Sequence, residues 1–324
     1  MDGLVWIGKV TQVFPIEGAE RIESLEVYCG RGGRWRGTAV KGQFQVGDLC
    51  QVYLQDSLVP QTPELAFMEK YHWRVGMRRF LGVPSEVLIT TQTVPGGEGD
   101  DVTEAAGVTK YEKPIPITMR GEVRGGFPSF IPKTEEPNFQ AAPEMVEALR
   151  QRPFYSTVKC DGSSATIYRR GDHFGCCSRN LELKDTPNNV VWQLAHRYHL
   201  PDTLPDGWAI QLEVVGPGIQ GNPMGLKQVD VRLFSLYDLE ARRYLGGAEV
   251  KEAAQQLQLP MVEVVDWGRP FEFRDDEELR RYAEGLYPNG RQREGVVIRP
   301  LEETAVDGRR LSFKVVNLLY KEAK

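Results

Sequence analysis

Lys159-Cys160-Asp161-Gly162 is the most informative stretch of this 324-residue chain. A lysine held beside an acid and a flexible glycine can act as a covalent nucleophile toward phosphorus. A four-residue pattern with one free position also occurs often by chance, so it carries weight only together with other residues. The residues that follow it in the second half of the chain provide that context.

Five short motifs follow the lysine in order along the chain. They are Ser178-Arg179-Asn180, Gln211-Leu212-Glu213-Val214-Val215-Gly216, Phe234-Ser235-Leu236-Tyr237-Asp238, Glu294-Gly295-Val296-Val297-Ile298-Arg299 and Ser312-Phe313-Lys314. Taken singly, each polar residue is more simply explained as a solvated or core side chain. The apolar alternation around them, however, places the polar groups at strand ends or on one strand face, as a shared cleft requires.

This order of motifs resembles the covalent nucleotidyltransferases, the superfamily of polynucleotide ligases and capping enzymes. In that superfamily a lysine motif is followed by acidic, aromatic, acidic and lysine motifs on one domain. The resemblance covers about two-thirds of the chain, and several independent motifs in order are far more specific than any one. It implies an ATP-grasp-like nucleotidyltransferase domain built from antiparallel sheets flanked by helices.

The resemblance also implies a role for each motif residue. Lys159 attacks the α-phosphate of ATP, and Lys314 binds the phosphate that migrates. Glu294 and Asp161 supply oxygen ligands to Mg²⁺ or Mn²⁺, and Glu213 holds the ribose or assists the metal. All five residues are therefore expected to meet in one cleft.

Three more residues complete the expected nucleotide site. Arg179 contacts the ribose or the incoming strand end, where a forked donor suits phosphate. Tyr237, the ring directly before an aspartate, is expected to lie flat on the adenine, with Phe234 as the second choice. Gly162 is expected to permit the close backbone approach of a tight nucleotide pocket.

A lysine must be uncharged to attack phosphorus, whereas its ordinary pKa is about 10.4. Nearby cations or desolvation must therefore lower the pKa of Lys159. A bound Mg²⁺ and Lys314 are expected to provide the positive field.

Composition narrows the class of protein further. The chain is 41% apolar and 26% charged, enough for a large core and two domains. It has no run of about eighteen apolar residues and no secretory signal, so we expect a cytoplasmic protein without membrane spans. The five cysteines show no Cys-x-x-Cys spacing, which predicts reduced thiols rather than disulfides or structural zinc.

The first ninety or so residues read as short strands separated by turns, which favours a small barrel. The predicted strands are Leu4 to Phe14, Glu23 to Cys29, Arg36 to Val40, Asp48 to Leu54, Arg78 to Gly82 and Val87 to Thr91. Two turn segments, 16–22 and 40–48, resemble the OB-type modules appended to RNA-handling enzymes. The expected fold is therefore α+β, an N-terminal OB-like β-barrel (1–105) followed by the nucleotidyltransferase domain (106–324).

Helices are expected only in the second domain. The candidates are Pro143 to Arg150, Pro187 to Tyr198, Glu249 to Leu257 and Asp275 to Leu286. The last opens with acidic residues, which suit a helix N-terminus.

A net charge of -5 argues against broad, non-specific binding to nucleic acid. Two local basic clusters interleaved with aromatic residues could still track phosphates and stack on bases. Their candidate contacts are Arg34, Arg36, Arg74, Arg78 and Arg79. The alternative is that the rings belong to a core and the charges form its solvated rim, and the sequence leaves both interpretations open.

The order of the two domains distinguishes between families within the nucleotidyltransferase superfamily. DNA ligases and capping enzymes usually carry an OB module after the last lysine motif, but only Val315 to Lys324 remain here. The chain therefore resembles the bacterial and protist RNA ligase family that has an N-terminal OB domain. The segment 131–140, which leads into the lysine motif, is also similar to that family.

This resemblance implies an ATP-dependent RNA ligase that joins 3′-OH and 5′-phosphate ends, in nick sealing or repair of duplex RNA or RNA/DNA hybrids. The protein is expected to be a monomer. A DNA ligase and a non-catalytic nucleic-acid-binding protein remain as alternatives. A guanylyltransferase and an NAD-using ligase fit less well, because the segments that they need are not recognisable.

One position departs from the family. Its last motif commonly has two lysines two residues apart, but the second position is Val316. Either Lys321, Arg299 or another cation substitutes, or one step is impaired.

Overall fold

The computed structural model describes residues 3–112 and 122–320. The chain divides into two compact units, one formed by Met1–Lys113 with Gln140–Pro143 and the other by Pro114–Phe139 with Glu144–Lys324. Within the described residues no helix is both long and apolar enough to span a membrane. The five cysteines are all buried, free thiols.

The first unit is built on a closed barrel of five strands. The strands of the unit are β1 (Val5–Pro15), β2 (Ile22–Tyr28), β3 (Arg34–Val40), β4 (Leu49–Tyr53), β5 (Ser57–Leu58), β6 (Arg78–Phe80), β7 (Val83–Ser85), β8 (Val87–Thr90) and β9 (Thr109–Lys110). The barrel has the order β1-β2-β3-β8-β4. Short 3₁₀ segments span Gly30–Gly32 and Pro63–Tyr71.

The barrel closes because alternate strand residues are apolar and share one interior. Leu25 and Val27 of β2 are fully buried together with Cys50 and Val52 of β4. Adjacent barrel strands are antiparallel except β3 and β8, which pair in parallel through Gly37 and Val87. The predicted OB-like barrel is thus confirmed.

The predicted strand at Arg78 to Gly82 is present but does not belong to the barrel. It forms β6, which pairs with β7 as a two-stranded hairpin between β4 and β8. The hairpin tip, Leu81, is exposed and has a positive φ of 50°.

The second unit contains two large antiparallel sheets, one two-stranded hairpin and the described helices. Its strands are β10 (Val123–Gly126), β11 (Pro153–Lys159), β12 (Ser163–Arg170), β13 (His173–Ser178), β14 (Leu181–Leu183), β15 (Trp208–Val215), β16 (Asp230–Asp238), β17 (Arg243–Tyr244), β18 (Val264–Pro270), β19 (Gly295–Pro300), β20 (Ala305–Val306), β21 (Arg309–Arg310) and β22 (Phe313–Val316). The helices are α1 (Pro143–Leu149), α2 (Val190–Arg197), α3 (Leu200–Thr203), α4 (Gly247–Gln256) and α5 (Asp276–Ala283), with a 3₁₀ turn at Phe139–Ala141.

The seven-stranded sheet has the order β10-β14-β13-β12-β15-β16-β17, and the four-stranded sheet has the order β18-β11-β19-β22. One face of the larger sheet, including Leu212 and Leu233, packs against Leu194 of α2 and Val250 of α4. The opposite face carries Glu213, because successive strand residues point to opposite sides. The helices therefore cover the core face and leave the polar face available.

Local sequence signals explain the helix starts. Asn189 caps α2 by accepting hydrogen bonds from the backbone N–H groups of Val191 and Trp192. Asp275 caps α5 in the same way through the N–H of Glu278. All four predicted helices are present. Three have slightly shorter bounds, whereas α4 begins two residues before the predicted Glu249 and ends one residue earlier, and the short α3 was not predicted.

Candidate active site

The lysine motif and the two last motifs lie on three neighbouring strands. Lys159 ends β11 and pairs with Gly295 of β19, which in turn pairs with Val316 of β22. Lys314 lies two residues before Val316 on β22 and pairs with Val297 of β19. Paired residues share a face and alternate residues return to it, so Lys159, Lys314 and Val316 project from the same face of the sheet.

Gly295 is required between them. Its φ is 149°, and a Cβ there would lie 2.1 Å from the carbonyl oxygen of Val315. Lys159, Gly295 and Val316 are paired side by side across the three strands, so no side chain separates Lys159 from Val316 on this line.

The lysine amine forms an ion pair within the site. Lys159 Nζ lies 2.7 Å from Glu294 Oε2, and both side chains are half-buried. Burial alone would lower the pKa of Lys159, but the charges of Glu294, Glu213 and Asp161 outweigh it and raise the pKa above its ordinary value. The protein's own carboxylates therefore oppose the lowered pKa that the reaction needs, and lowering by a bound cation stays a prediction.

Glu213 approaches the lysine from the other sheet. It lies on β15 between Ser164 of β12 and Arg232 of β16. Its Oε1 accepts a hydrogen bond of 3.0 Å from the N–H of Gly162. Burial, with a contribution from the charge of Glu294, raises the pKa of Glu213 to about 8.

Gly162 is needed for packing against β15. A Cβ at this position would lie 2.4 Å from Val214 O and 2.8 Å from Glu213 Cγ. The close backbone approach at Gly162 thus exists toward the neighbouring strand, and its role in a nucleotide pocket stays a prediction.

Two tyrosines hold the turn after the lysine. Asp161 is buried, and its Oδ2 accepts a hydrogen bond from the hydroxyl of Tyr320. Tyr287 donates its hydroxyl hydrogen to Lys159 O at 3.0 Å and accepts from the N–H of Asp161 at 3.3 Å. Burial and the adjacent Asp161 raise the pKa of Tyr320.

Sequence reasoning missed both tyrosines. Each is separated from the lysine motif by more than a hundred residues, and neither belongs to a motif with a recognisable spacing. Only the folded structure, which brings these distant segments together, shows that the two tyrosines contact the lysine motif.

The aromatic motif places Phe234, and not Tyr237, beside the lysine motif. Phe234 packs against the cluster that contains Cys160 and Val215. Tyr237 pairs with Ala209, four residues before Glu213 on β15, which is about 13 Å along the strand. The ring of Tyr237 instead contacts Tyr244 edge to face, with 5.1 Å between ring centroids. Phe234, the second choice from the sequence, is therefore the ring that lies beside the lysine motif.

Arg179 and Lys314 lie at the margins of the group formed by Lys159, Glu213 and Glu294. Arg179 occupies the turn between β13 and β14, is 44% exposed, and lies 3.6 Å from the carboxylate of Glu135. Lys314 is half-buried, and its backbone N–H donates to Pro137 O at 2.9 Å. The lead-in segment thus runs beside the last lysine motif.

Arg299, one of the cations proposed to replace the missing lysine, already forms a salt bridge with Glu136. It is 1% exposed, and its Nη2 lies 2.6 Å from Glu136 Oε1. It also lies four residues along β19 from Gly295, about 13 Å away along the strand. Lys321 lies outside the described residues.

The described ranges 3–112 and 122–320 contain no group of three or more His, Cys, Asp or Glu side chains arranged to hold a metal ion. Three carboxylates raise the pKa of the Lys159 amine, namely those of Asp161, Glu213 and Glu294. Each contacts a different partner: Tyr320 for Asp161, the Gly162 N–H for Glu213 and Lys159 itself for Glu294. The predicted three-carboxylate metal site is thus not assembled by side chains alone. One or two carboxylates with water and substrate oxygens still suit Mg²⁺ or Mn²⁺.

The candidate RNA contacts in the first unit differ in how they are held. Arg34 lies 2.6 Å from Glu26, and Arg74 lies 2.6 Å from Asp56. Arg36 stacks on Phe14, 5.8 Å from the ring centroid.

The hairpin arginines have different surroundings. Arg78 stacks on Tyr71, 4.6 Å from the ring centroid, and Arg79 is exposed at β6. Trp35, around which the first basic cluster is arranged, is only 2% exposed. The core interpretation therefore holds for Trp35, whereas Tyr71 is half-buried, packing on a core cluster while Lys70 and Arg78 lie over its ring.

Comparisons with known proteins agree with this geometry. The RNA ligase family model matches residues 152–316, and a model of an OB-fold domain matches residues 4–83. A search of curated proteins finds no match.

Several solved structures of Naegleria gruberi RNA ligase are similar over nearly the whole chain. A variant with ATP and Mn is 31% identical, has a TM-score of 0.85, and covers 97% of this chain and 97% of its own. The same ligase with PPi is 32% identical, has a TM-score of 0.84, and covers 98% and 97%. A variant with AMP and Mn is 32% identical, has a TM-score of 0.84, and covers 97% and 96%.

The family model includes Lys159, Glu213, Glu294 and Lys314, and the structural similarity extends through the barrel. The chain therefore belongs to the RNA ligase family.

Proposed function

We propose that this RNA ligase joins 3′-OH and 5′-phosphate ends through an adenylate carried on Lys159. The observation that carries the proposal is the position of the Lys159 amine, 2.7 Å from Glu294 at the end of β11 and within the electrostatic reach of Glu213. A half-buried amine among carboxylates, with Lys314 on the same sheet face, suits nucleotidyl transfer.

The reaction has three steps. Nζ of Lys159 forms a bond to the α-phosphorus of ATP, and pyrophosphate leaves. The RNA 5′-phosphate oxygen then attacks the same phosphorus, AMP passes to the RNA end, and the lysine is restored. Finally, the 3′-hydroxyl attacks the adenylylated 5′-phosphate, a phosphodiester bond forms, and AMP leaves.

Lys159 must lose a proton before the first step, and the protein's own charges oppose that loss. Glu294 is the nearest group that can accept or relay the proton. Glu294 and Glu213 present the oxygen donors that a hard divalent cation prefers, so they are the residues that would hold Mg²⁺ or Mn²⁺. The cation would offset their negative charge beside the amine and neutralise phosphate oxygens.

Phe234 is proposed as the ring that stacks on the adenine. Its place beside Cys160 and Val215 supports this role, because the base must lie close to the lysine that attacks its α-phosphate. Lys314 is proposed to bind the migrating phosphate, and Arg179 to meet the ribose or the incoming strand end.

The first unit is proposed to bind RNA. In OB folds the second and third strands and the loop between the fourth and fifth strands contact oligonucleotides. Arg34 and Arg36 lie on β3, and Arg78 and Arg79 lie in the loop between the fourth and fifth barrel strands. Arg74 is a weaker candidate, because it pairs with Asp56 and stacks on Tyr111.

The proposed substrate is a nick in duplex RNA or in an RNA/DNA hybrid, sealed by a monomer. Sealing of matched nicks that differ only in the sugar on the 3′-OH side would separate this substrate from that of a DNA ligase. Equal sealing of both nicks would argue against RNA preference.

Covalent labelling tests the central step. Wild-type protein is incubated with α-labelled ATP, GTP or NAD and run on a denaturing gel. We expect label from ATP alone, lost in Lys159→Ala and retained in Lys184→Ala, whose lysine is an exposed partner of Glu122. Equal label in Lys159→Ala would remove Lys159 as the nucleophile, and no label in wild type would favour a non-catalytic binding protein.

A further inference from the structure

We propose that Arg310 is a positioning residue that holds Phe234 at the correct spacing for the adenine. The inference rests on the proposed function, in which Phe234 stacks on the base. It assigns a role to a residue that lies outside the recognised motifs.

Phe234 is presented by a β-bulge. On β15 and β16, Gln211 pairs with Ser235 and the next residue, Leu212, pairs with Leu233, so Phe234 is the extra residue. Leu233 and Leu236, three positions apart rather than two, consequently both enter the core covered by the helices. A bulge of this kind re-aims a side chain, and its geometry depends on the residues that hold it.

Arg310 holds the bulge through Ser235. Its Nη1 donates a hydrogen bond of 2.8 Å to Ser235 Oγ, and Ser235 is fully buried. Its Nε and Nη2 each donate at 2.9 Å to one oxygen of Glu303. The guanidinium carbon lies 3.9 Å from the ring centroid of Tyr244. Arg310 is therefore constrained on three sides, and a forked donor can make all these contacts at once where lysine cannot.

The chain connection makes this contact significant for the site. Arg310 ends β21, and the β20–β21 hairpin joins β19, which begins after Glu294, to β22, which carries Lys314. The same arginine thus links the connection between two catalytic strands of the smaller sheet to the bulge of the larger sheet. The spacing between Phe234 and those strands depends on this link.

A displaced ring weakens contact with the base but leaves the phosphate contacts in place. Loss of Arg310 should therefore impair binding of ATP, while a ligand with phosphates and no base should bind as before. General damage to the fold would weaken both ligands.

The test measures lysyl-adenylate formation from α-labelled ATP, with inorganic tripolyphosphate as the competitor without a base. Arg310→Gln and Ser235→Ala should each raise KM for ATP, by roughly tenfold for the arginine, with a smaller change in maximal rate. The inhibition constant of tripolyphosphate should stay unchanged. Arg310→Lys should recover only part of the loss.

Arg309→Gln is the matched control. Arg309 precedes Arg310 in the same strand but is exposed and pairs with Glu144, and its replacement should leave both constants unchanged. Because Arg310 acts through Ser235, the double variant should raise KM no more than Arg310→Gln alone.

An unchanged KM in Ser235→Ala would overturn the inference, and this variant removes only a hydroxyl, so it remains informative if Arg310→Gln does not fold. Equal weakening of ATP and tripolyphosphate would also overturn it. Absence of label in wild type would instead refute the proposed function.

Discussion

Val316 and Lys159 project from the same face of the four-stranded sheet, on either side of Gly295. An apolar side chain therefore occupies the position on the nucleophile's sheet face where the resemblance implied a second lysine. The charges that do surround Lys159 are negative and raise its pKa. The balance of charge around this amine is the feature from which the first two predictions follow.

Replacing Val316 with lysine should lower the pKa of Lys159, because it adds a cation to the same face. We expect the pH profile of lysyl-adenylate formation to move to lower pH. At a fixed pH below the pKa, each unit by which the pKa falls raises the fraction of uncharged amine about tenfold. Initial labelling rates between about pH 6 and pH 9 measure this shift. Val316→Met is the control of similar size, and an unmoved profile in Val316→Lys would contradict the expectation.

Glu213→Gln should make the protein more stable in mildly alkaline solution. Burial raises the pKa of Glu213 to about 8, so the native state retains a proton that the unfolded chain loses near pH 4. The glutamate therefore reduces stability as pH rises between these values, whereas glutamine has no charge to desolvate.

The expected gain in unfolding free energy is on the order of 1–2 kcal/mol at pH 8 and falls toward zero near pH 4. Urea unfolding at both pH values measures it. The exposed Glu252→Gln should show no such dependence. A gain that is equal at both pH values would mean that charge burial at Glu213 is not the cause.

Phe234→Leu and Tyr237→Leu should have different kinetic effects. Loss of a stacked ring costs about 1–3 kcal/mol per base, so Phe234→Leu should raise KM for ATP roughly tenfold or more. Tyr237 contacts Tyr244, and its replacement should lower thermal stability with little effect on KM. KM and the melting temperature are measured for both variants, and the opposite pattern would restore Tyr237 as the stacking residue.

The double variant Arg78→Ser, Arg79→Ser should weaken RNA binding without changing lysyl-adenylate formation. If both arginines contact phosphate, the slope of log affinity against log salt should fall by about 1.5 to 2. Binding to a labelled RNA duplex at several salt concentrations measures the slope. Arg242→Ser, an exposed arginine of the second unit, is the control, and an unchanged slope in the double variant would place the RNA contact elsewhere.

Much of this protein could be read from local patterns. The barrel strands follow from apolar alternation, and α2 and α5 from caps at Asn189 and Asp275. The order of the motifs from Lys159 to Lys314 also indicated the family, because transfer of a nucleotide requires an amine, carboxylates and a ring in particular places. These features depend on residue type and short spacing, which a sequence displays directly.

The details of the site depended on contacts between distant segments. A single extra residue in β16 determines that Phe234, rather than Tyr237, lies beside the lysine motif. Tyr320 reaches Asp161 from the far end of the chain, and no local pattern marks that pair. The protonation of Lys159 follows from its 2.7 Å distance to Glu294. Side-chain direction and electrostatic free energy vary with distances across strands, and those distances exist only once the chain has folded.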